Sequence, residues 1–519
     1  MNPEKFFAWV KEKIGKGSFL TFVATFVIGL FTHMPALVSD IPNHDGLASM
    51  YFDQNMITSG RWFLQVACGI SSYFSLPWLI GILALIYLAV GASLLCRLLK
   101  IKSTVCSVLI GGMMVTFPVL ASNFAYVFTM DGYMLGLFLA ILAVYLVGNA
   151  KYGFLWGGIS LAFSMGIYQS YLPVTILLSV YMAVTVLAGT DAVKNRIKGI
   201  LRYVYMGVIG VALYYALLRL LLMVQGKTLA DYQGINTMAD ASGMNLLGTL
   251  KAMYFDFIAF TLKGNVLANN PFAKAAFVIL VCLFLMYIAI CCIRKKWYKN
   301  VAFYIVTLIV AATVPIFTNI ILLISESVNY HALMRYQWVL FAVVPIAVLF
   351  SGFETNENKN KKIASVVQWV VFICGVVVVF SNVVTDNIAY SNLQKKYEKT
   401  YAYCLRLADR IEQTEGYYTG IPIYMIGVVG DDNYPVTDIT AKATDHLIGI
   451  GGDYLLYTGE NYELFFEHYM GISFNFLRPE EANYYNEDFY AEMPSFPAEG
   501  SVKVVNGIMF VKTENYNRD

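Results

Sequence analysis

The sequence predicts a polytopic α-helical membrane protein of about eleven transmembrane helices, followed by a small extracytoplasmic α/β domain. Three observations carry that expectation. Hydrophobic residues make up 58% of the 519 positions and charged residues only 13%, about half the charge of an ordinary soluble chain. The apolar residues gather into runs long enough to cross a bilayer, which takes about 20 residues each. The basic residues recur after every second run, as a consistent topology requires.

The runs are 19–38, 77–99, 104–121, 132–147, 154–168, 171–188, 201–224, 272–293, 301–324, 333–350 and 363–384. The fifth and sixth are separated only by Tyr168, Gln169 and Ser170. The first run is too long for a signal-peptide core and has no small-residue cleavage site, so it reads as a retained helix. Lys5, Lys11, Lys13 and Lys16 precede it. Basic residues then follow the second, fourth, sixth, eighth and tenth runs, at Arg97 and Lys100, Lys151, Lys194 and Arg196, Arg294 and Lys295, and Lys359 and Lys361. With eleven crossings all of them fall on one side, which the positive-inside rule makes cytoplasmic. The N-terminus is then cytoplasmic. The outer side receives residues 39–76, 225–271 and everything after Thr385. The expected division is therefore 1–384 as the membrane unit and 385–519 as the outer unit.

Within the first outer segment, Leu47, Met50, Tyr51, Gln54 and Ile57 recur at helix spacing, as do Trp62, Phe63, Val66 and Ile70. Short helices on the membrane surface suit that pattern. After the last run, residues 392–415 carry Leu393, Tyr397, Tyr401, Cys404, Ala408 and Ile411 on one helical face. Residues 421–429 are β-rich. Val-Lys-Val-Val, then Asn506-Gly507, then Ile-Met-Phe-Val reads as a hairpin, since Asn-Gly between apolar runs favours a tight turn. The eight cysteines form no CxxC and fall mostly in or beside apolar runs, which points away from zinc or redox chemistry. A net charge of +2, with no basic block interleaved with aromatics, gives no sign of a nucleic-acid partner.

Candidate chemistry gathers on the expected outer face. The first loop holds Asp40, His44 and Asp45, then Gly60-Arg61-Trp62. A carboxylate just beyond a helix end can act as a general base toward a hydroxyl, or hold a divalent cation beside His44. Arg61 can pair with a carboxylate or a phosphate. The ordinary alternative makes these polar loop residues, with Asp45 a helix N-cap. Asp131 stands at the outer end of the fourth run, where an N-cap role is equally open. Tyr168 and Gln169 stand at the outer end of the fifth. Glu326, His331 and Arg335 precede or begin the tenth, where Arg335 could instead snorkel to headgroups. Gly449, Gly451 and Gly452 lack phosphate-loop spacing, Gly427 and Gly430 open no dinucleotide fingerprint, and Glu480, Glu481, Glu487 and Asp488 read as a solvated face. The tyrosines 484, 485 and 490 read as ordinary packing.

The opening helix, the acidic first outer loop ending in Gly60-Arg61-Trp62, the Asp131 segment, Tyr168-Gln169-Ser170 and the late outer Arg335 together resemble the Gtr-type glucosyltransferases of bacterial surface polysaccharides. These belong to the multi-spanning GT-C class, and the resemblance covers roughly residues 19–384. One departure is His44-Asp45, where the family often has paired acidic residues. The resemblance implies a multi-pass enzyme of the bacterial cytoplasmic membrane. Its donor would be a sugar, glucosyl by the family, on a polyprenyl phosphate, and its acceptor a surface polysaccharide or teichoic-acid-like glycan. Asp45 would take the acceptor proton, and Asp131 or Asp40 would orient the sugar or a divalent cation such as Mg or Mn. Arg335, with Arg61, would stabilise the departing lipid phosphate. His44, Trp62, Tyr168, Gln169, Glu326 and His331 would complete the substrate site. Transfer would invert the anomeric centre by one displacement. A secondary transporter or flippase for an envelope precursor is the main alternative. Such a protein would show broken helices, inverted repeats and mid-membrane charges, whereas the polar residues here cluster at helix ends and no repeat is visible.

Overall fold

The computed structural model describes residues 2–189, 192–230, 245–325, 328–354, 361–426, 444, 446–450, 455–456, 459–478 and 488–513. Helices dominate. Among the described residues, eight are long and apolar enough to cross a membrane: 15–38, 77–98, 127–149, 169–187, 193–225, 271–294, 301–318 and the apolar part of 362–413. Three of the eleven expected runs fall short of that standard. The third is a bent pair, α5 (Thr104–Thr116) and α6 (Val119–Ala125), which meet at 50°. Phe117-Pro118 causes the bend, since proline has no N–H to donate and holds the preceding residue extended (Phe117 ψ 123°). The fifth is the 15-residue α8 (Gly153–Ile167), and the tenth is a short helix over residues 336–352.

The N-terminal helix α1 (Pro3–Val38), kinked at Gly15, packs against α4 (Pro77–Leu98) and α5. Between α1 and α4 lie α2 (His44–Ser49), a 3-10 turn at Ile57–Ser59, and α3 (Leu64–Ala67). Next, α7 (Met130–Asn149) pairs with α4 and α8. At the narrow boundary between the fifth and sixth runs the chain does break: Tyr168 is extended and Gln169–Tyr171 forms a 3-10 turn before α9 (Leu172–Leu187). A long α10 (Val193–Gln225) packs back on α8. The segment expected as a long outer loop contains α11 (Leu246–Lys263), capped by Asn245. Then follow α12 (Pro271–Arg294), α13 (Val301–Thr318), α14 (Ile321–Ile324) and α15 (Leu340–Glu354). Proline at the start of α4 and α12 suits the first helical turn, where no N–H is needed.

A single 53-residue helix, α16 (Lys361–Gln413), carries the chain from the last apolar run across position 384 into the C-terminal unit. The face expected from the sequence is the one used there, with Cys404, Leu407, Ala408 and Ile411 in the core of that unit. Its four-stranded sheet has the order β2-β1-β4-β3, with β1 Pro422–Ile426, β2 Asn475–Phe476, β3 Val502–Val505 and β4 Ile508–Lys512. The strand β1 runs parallel to both β2 and β4, while β3 and β4 form the expected hairpin. Asn506 and Gly507 both take positive φ (52° and 77°), as the tight turn demands. Its described residues also include the short helices α17 (Gly459–Phe465) and α18 (Asp488–Glu492). The glycines 427, 430, 451 and 452, the acids Glu480, Glu481 and Glu487, and the tyrosines 484 and 485 lie outside the described residues.

The largest buried cluster fills the space among α4, α5, α6, α7, α8, α10 and α15, while α12 and α13 expose Phe272, Val278, Leu285, Val301, Ile305 and Leu308 outward. An apolar belt of that kind fits lipid better than water.

Candidate functional site

The first loop owes its shape to two local devices. Asn43 accepts the Gly46 N–H at 2.7 Å and so caps α2. The N-cap role considered for Asp45 therefore belongs to Asn43, and Asp45 sits in the first turn with its side chain 56% exposed. His44 Nε2 lies 3.5 Å from Asp45 Oδ2, too long for a firm hydrogen bond. Farther along, Gly60 adopts φ +77°. The Gln169 amide donates to the Ser59 carbonyl (3.0 Å) and the Tyr214 hydroxyl (3.0 Å), and Tyr214 donates to the Gly60 carbonyl (3.1 Å). A Cβ at position 60 would stand 2.5 Å from the Gln169 amide nitrogen, so glycine is required twice over. This turn sends Trp62 against the bare backbone of Gly166 and edge-on to Phe163 at 5.3 Å. Gln169 and Trp62 thus hold the loop onto α8 and α10.

The turn also aims Arg61 inward. Its Nη1 donates to the Tyr133 hydroxyl at 3.3 Å, and its guanidinium lies 5.1 Å from the centre of the Tyr168 ring. Tyr168 stacks on Tyr133 at 4.7 Å. Across from them, His331 feels both Arg61 and Arg335. Burial first, and then these two cations, lower the His331 pKa to about 4, so the imidazole is neutral at physiological pH. Its Nδ1 is buried without a hydrogen-bond partner among the described residues.

Arg335 is committed elsewhere. Its two terminal nitrogens grip both carboxylate oxygens of Asp256 at 2.7 and 2.8 Å, and one also donates to the Tyr330 carbonyl at 2.8 Å. The guanidinium is sandwiched by Tyr330 (3.9 Å) and Phe260 (4.3 Å). Its side chain is only 7% exposed, which excludes the snorkelling role.

The other acids diverge. Asp131 turns inward: its Oδ1 accepts from the Ser71 hydroxyl at 2.7 Å and from the Gly132 N–H at 2.8 Å.

 Asp131 is simply buried, 2% exposed, and its carboxylate ties the start of α7 to the first loop. The N-cap of that helix is Thr129, not Asp131. Asp40 is exposed and accepts from the Ser75 hydroxyl. It faces Tyr51 and Tyr469, away from the arginines. Glu326 lies outside the described residues. Among the described residues no three His, Cys, Asp or Glu side chains gather as a metal site would need. The described side chains therefore do not offer a fit for a divalent cation.

The site that does assemble has an exposed carboxylate at Asp45, with Arg61, Tyr133, Tyr168 and His331 inside it and the Arg335–Asp256 pair behind. Such a site can take a proton at its mouth and an anion at its interior. Sequence reasoning missed Tyr133, Ser71 and Asp256. Asp256 had a signal, being the lone acid in the apolar stretch Tyr-Phe-Asp-Phe-Ile-Ala-Phe.

Comparison with known proteins agrees with the geometry. No curated protein matches the chain. The family model described as glucosyl transferase GtrII matches residues 34–351, more than half the chain, including every candidate residue from Asp40 to Arg335. The chain belongs to the GtrII glucosyl transferase family.

Proposed function

We propose that this glycosyltransferase moves a glucosyl group from a polyprenyl-phosphate donor to a cell-surface glycan at the outer face of the bacterial cytoplasmic membrane. If the bent pair and the two short helices also cross, the chain crosses eleven times, and the positive-inside rule then favours the first loop and the C-terminal unit on that face. The observation that supports the reading is an exposed carboxylate, Asp45, and an interior cation, Arg61, seated on Tyr133 and Tyr168, with Tyr133 within electrostatic range of both.

The acceptor hydroxyl gives its proton to Asp45 as its oxygen attacks the anomeric carbon. The bond from that carbon to the phosphate oxygen breaks, and the phosphate leaves with the bonding pair. One displacement inverts the centre. A phosphate leaving group needs its charge stabilised more than it needs a proton, which is the role of Arg61. Neutral His331 can donate one hydrogen bond to the same group. Arg335, already neutralised by Asp256, supports this end of the site from behind. Tyr168 supplies a ring face, Asp131 holds the loop through Ser71, and Asp40 with His44 lies toward the acceptor.

Purified protein in proteoliposomes, given radiolabelled glucosyl polyprenyl phosphate and an acceptor glycan, should transfer label to the glycan. Movement of the lipid-linked sugar between leaflets without transfer would establish the flippase alternative instead.

A further inference from the structure

The helix that bears His44 and Asp45 has only six residues. Isolated helices shorter than about 12 residues are marginal in water, so packing must set where Asp45 points. That packing comes from the far end of the sequence. Leu47 is 2% exposed and belongs to the hydrophobic core of the C-terminal unit, with Phe465 and Phe466. The helix α2 lies against α17. One turn on, the Tyr469 hydroxyl donates to the Met50 sulfur at 3.6 Å. Tyr51 holds a left-handed backbone (φ +65°), uncommon for any residue but glycine, with its ring 4.9 Å from that of His468. Gly449 presses on the cap itself: a Cβ there would stand 3.0 Å from the Asn43 amide nitrogen.

These contacts divide α2 into two faces. Gly46 and Leu47 are buried, while Asp45 and Ala48 are exposed. We propose that the C-terminal unit is a clamp on α2, and that Leu47 and Tyr469 are positioning residues for the transfer reaction. The clamp rests on Asp45 acting as the general base. A catalytic group displaced by about 1 Å can lose on the order of 100-fold in rate while substrate binding elsewhere is unaffected. The outer unit thereby has a role beyond the matched family region, since residues 447–513 lie past its end.

The test compares full-length wild type, Leu47→Ala, Leu47→Met and Tyr469→Phe, with Asp45→Asn in parallel. Leu47→Ala should lower kcat at least about 10-fold, with donor KM within about twofold, and Leu47→Met should restore most of it. Hydrogen exchange over residues 44–49 should quicken in Leu47→Ala, with exchange in α7 unchanged. Tyr469→Phe should show the same pattern more weakly and guards against a folding defect in Leu47→Ala. Unchanged exchange over 44–49 in both variants overturns the clamp, as does unchanged kcat in both while Asp45→Asn is inactive. A fully active Asp45→Asn removes the base assignment, and the exchange comparison then decides the clamp by itself.

Discussion

Removing the Asp256 carboxylate should leave one of the least exposed cations in the protein uncompensated. Arg335 is 7% and Asp256 27% exposed at the side chain, and two short charge-assisted hydrogen bonds join them. Breaking such a pair from one side costs about 3–5 kcal/mol when both charges are buried. Asp256 retains some solvent, so about 2–4 kcal/mol is the expected loss for Asp256→Ala. Arg335→Ala should cost a similar amount, to which lost stacking on Tyr330 and Phe260 contributes. The double variant should be much less destabilised than the sum, with a coupling energy of at least about 1.5 kcal/mol. Unfolding in mixed micelles titrated with SDS gives the four free energies of the cycle. Additivity within about 0.5 kcal/mol would refute the claim that the pair acts as a unit. Donor KM across the same variants separates stability from binding. If Arg335 itself held the donor phosphate, Asp256→Ala would tighten donor binding by freeing the guanidinium.

Three further outcomes are expected. Asp45→Asn keeps shape but not basicity, so turnover should fall about 10²–10⁴-fold with folding intact; near-normal turnover would leave Asp45 without a chemical role. A cysteine at position 499 should react with an impermeant thiol reagent in intact cells and one at position 198 only after lysis, and the reverse pattern would invert the proposed orientation. His331 binds a proton more weakly folded than unfolded. Stability should therefore fall as pH drops from about 6.5 toward about 4. His331→Gln should flatten that fall, measured as thermal unfolding against pH.

The helical framework was legible because its physics is local. Apolar run length, basic punctuation and proline starts each act within a few residues, and the runs all correspond to helices. The hairpin at Asn506-Gly507 was legible for the same reason. Boundaries set by one residue were harder: Pro118 lies inside a run that hydropathy reads as continuous, yet it bends the span by 50°. Candidate site residues could be named from the sequence, but not their contacts. Arg335 looked available in sequence because its partner stands 79 positions earlier, on a helix masked by its place in a polar segment. Asp45 looked like a cap because the neighbouring Asn43 is just as competent, and only backbone geometry chooses between them. The docking of Leu47 on the C-terminal unit leaves no sequence trace, since an apolar residue at helix spacing says nothing of which core receives it.

The 53-residue α16 contains no proline. At 1.5 Å per residue it would reach about 80 Å if straight, joining the apolar helices to the C-terminal sheet as one stiff rod. A rod converts changes of length into changes of angle. Each residue inserted after Val384 would shift the sheet about 1.5 Å along the rod and also swing it about 100° around the rod, whereas seven residues, close to two full turns, would shift it about 10 Å and return it nearly to its starting azimuth. Because α2 grips the same unit from a second point, its tolerance to insertion should be periodic, following azimuth before height, as in a shaft keyed at both ends.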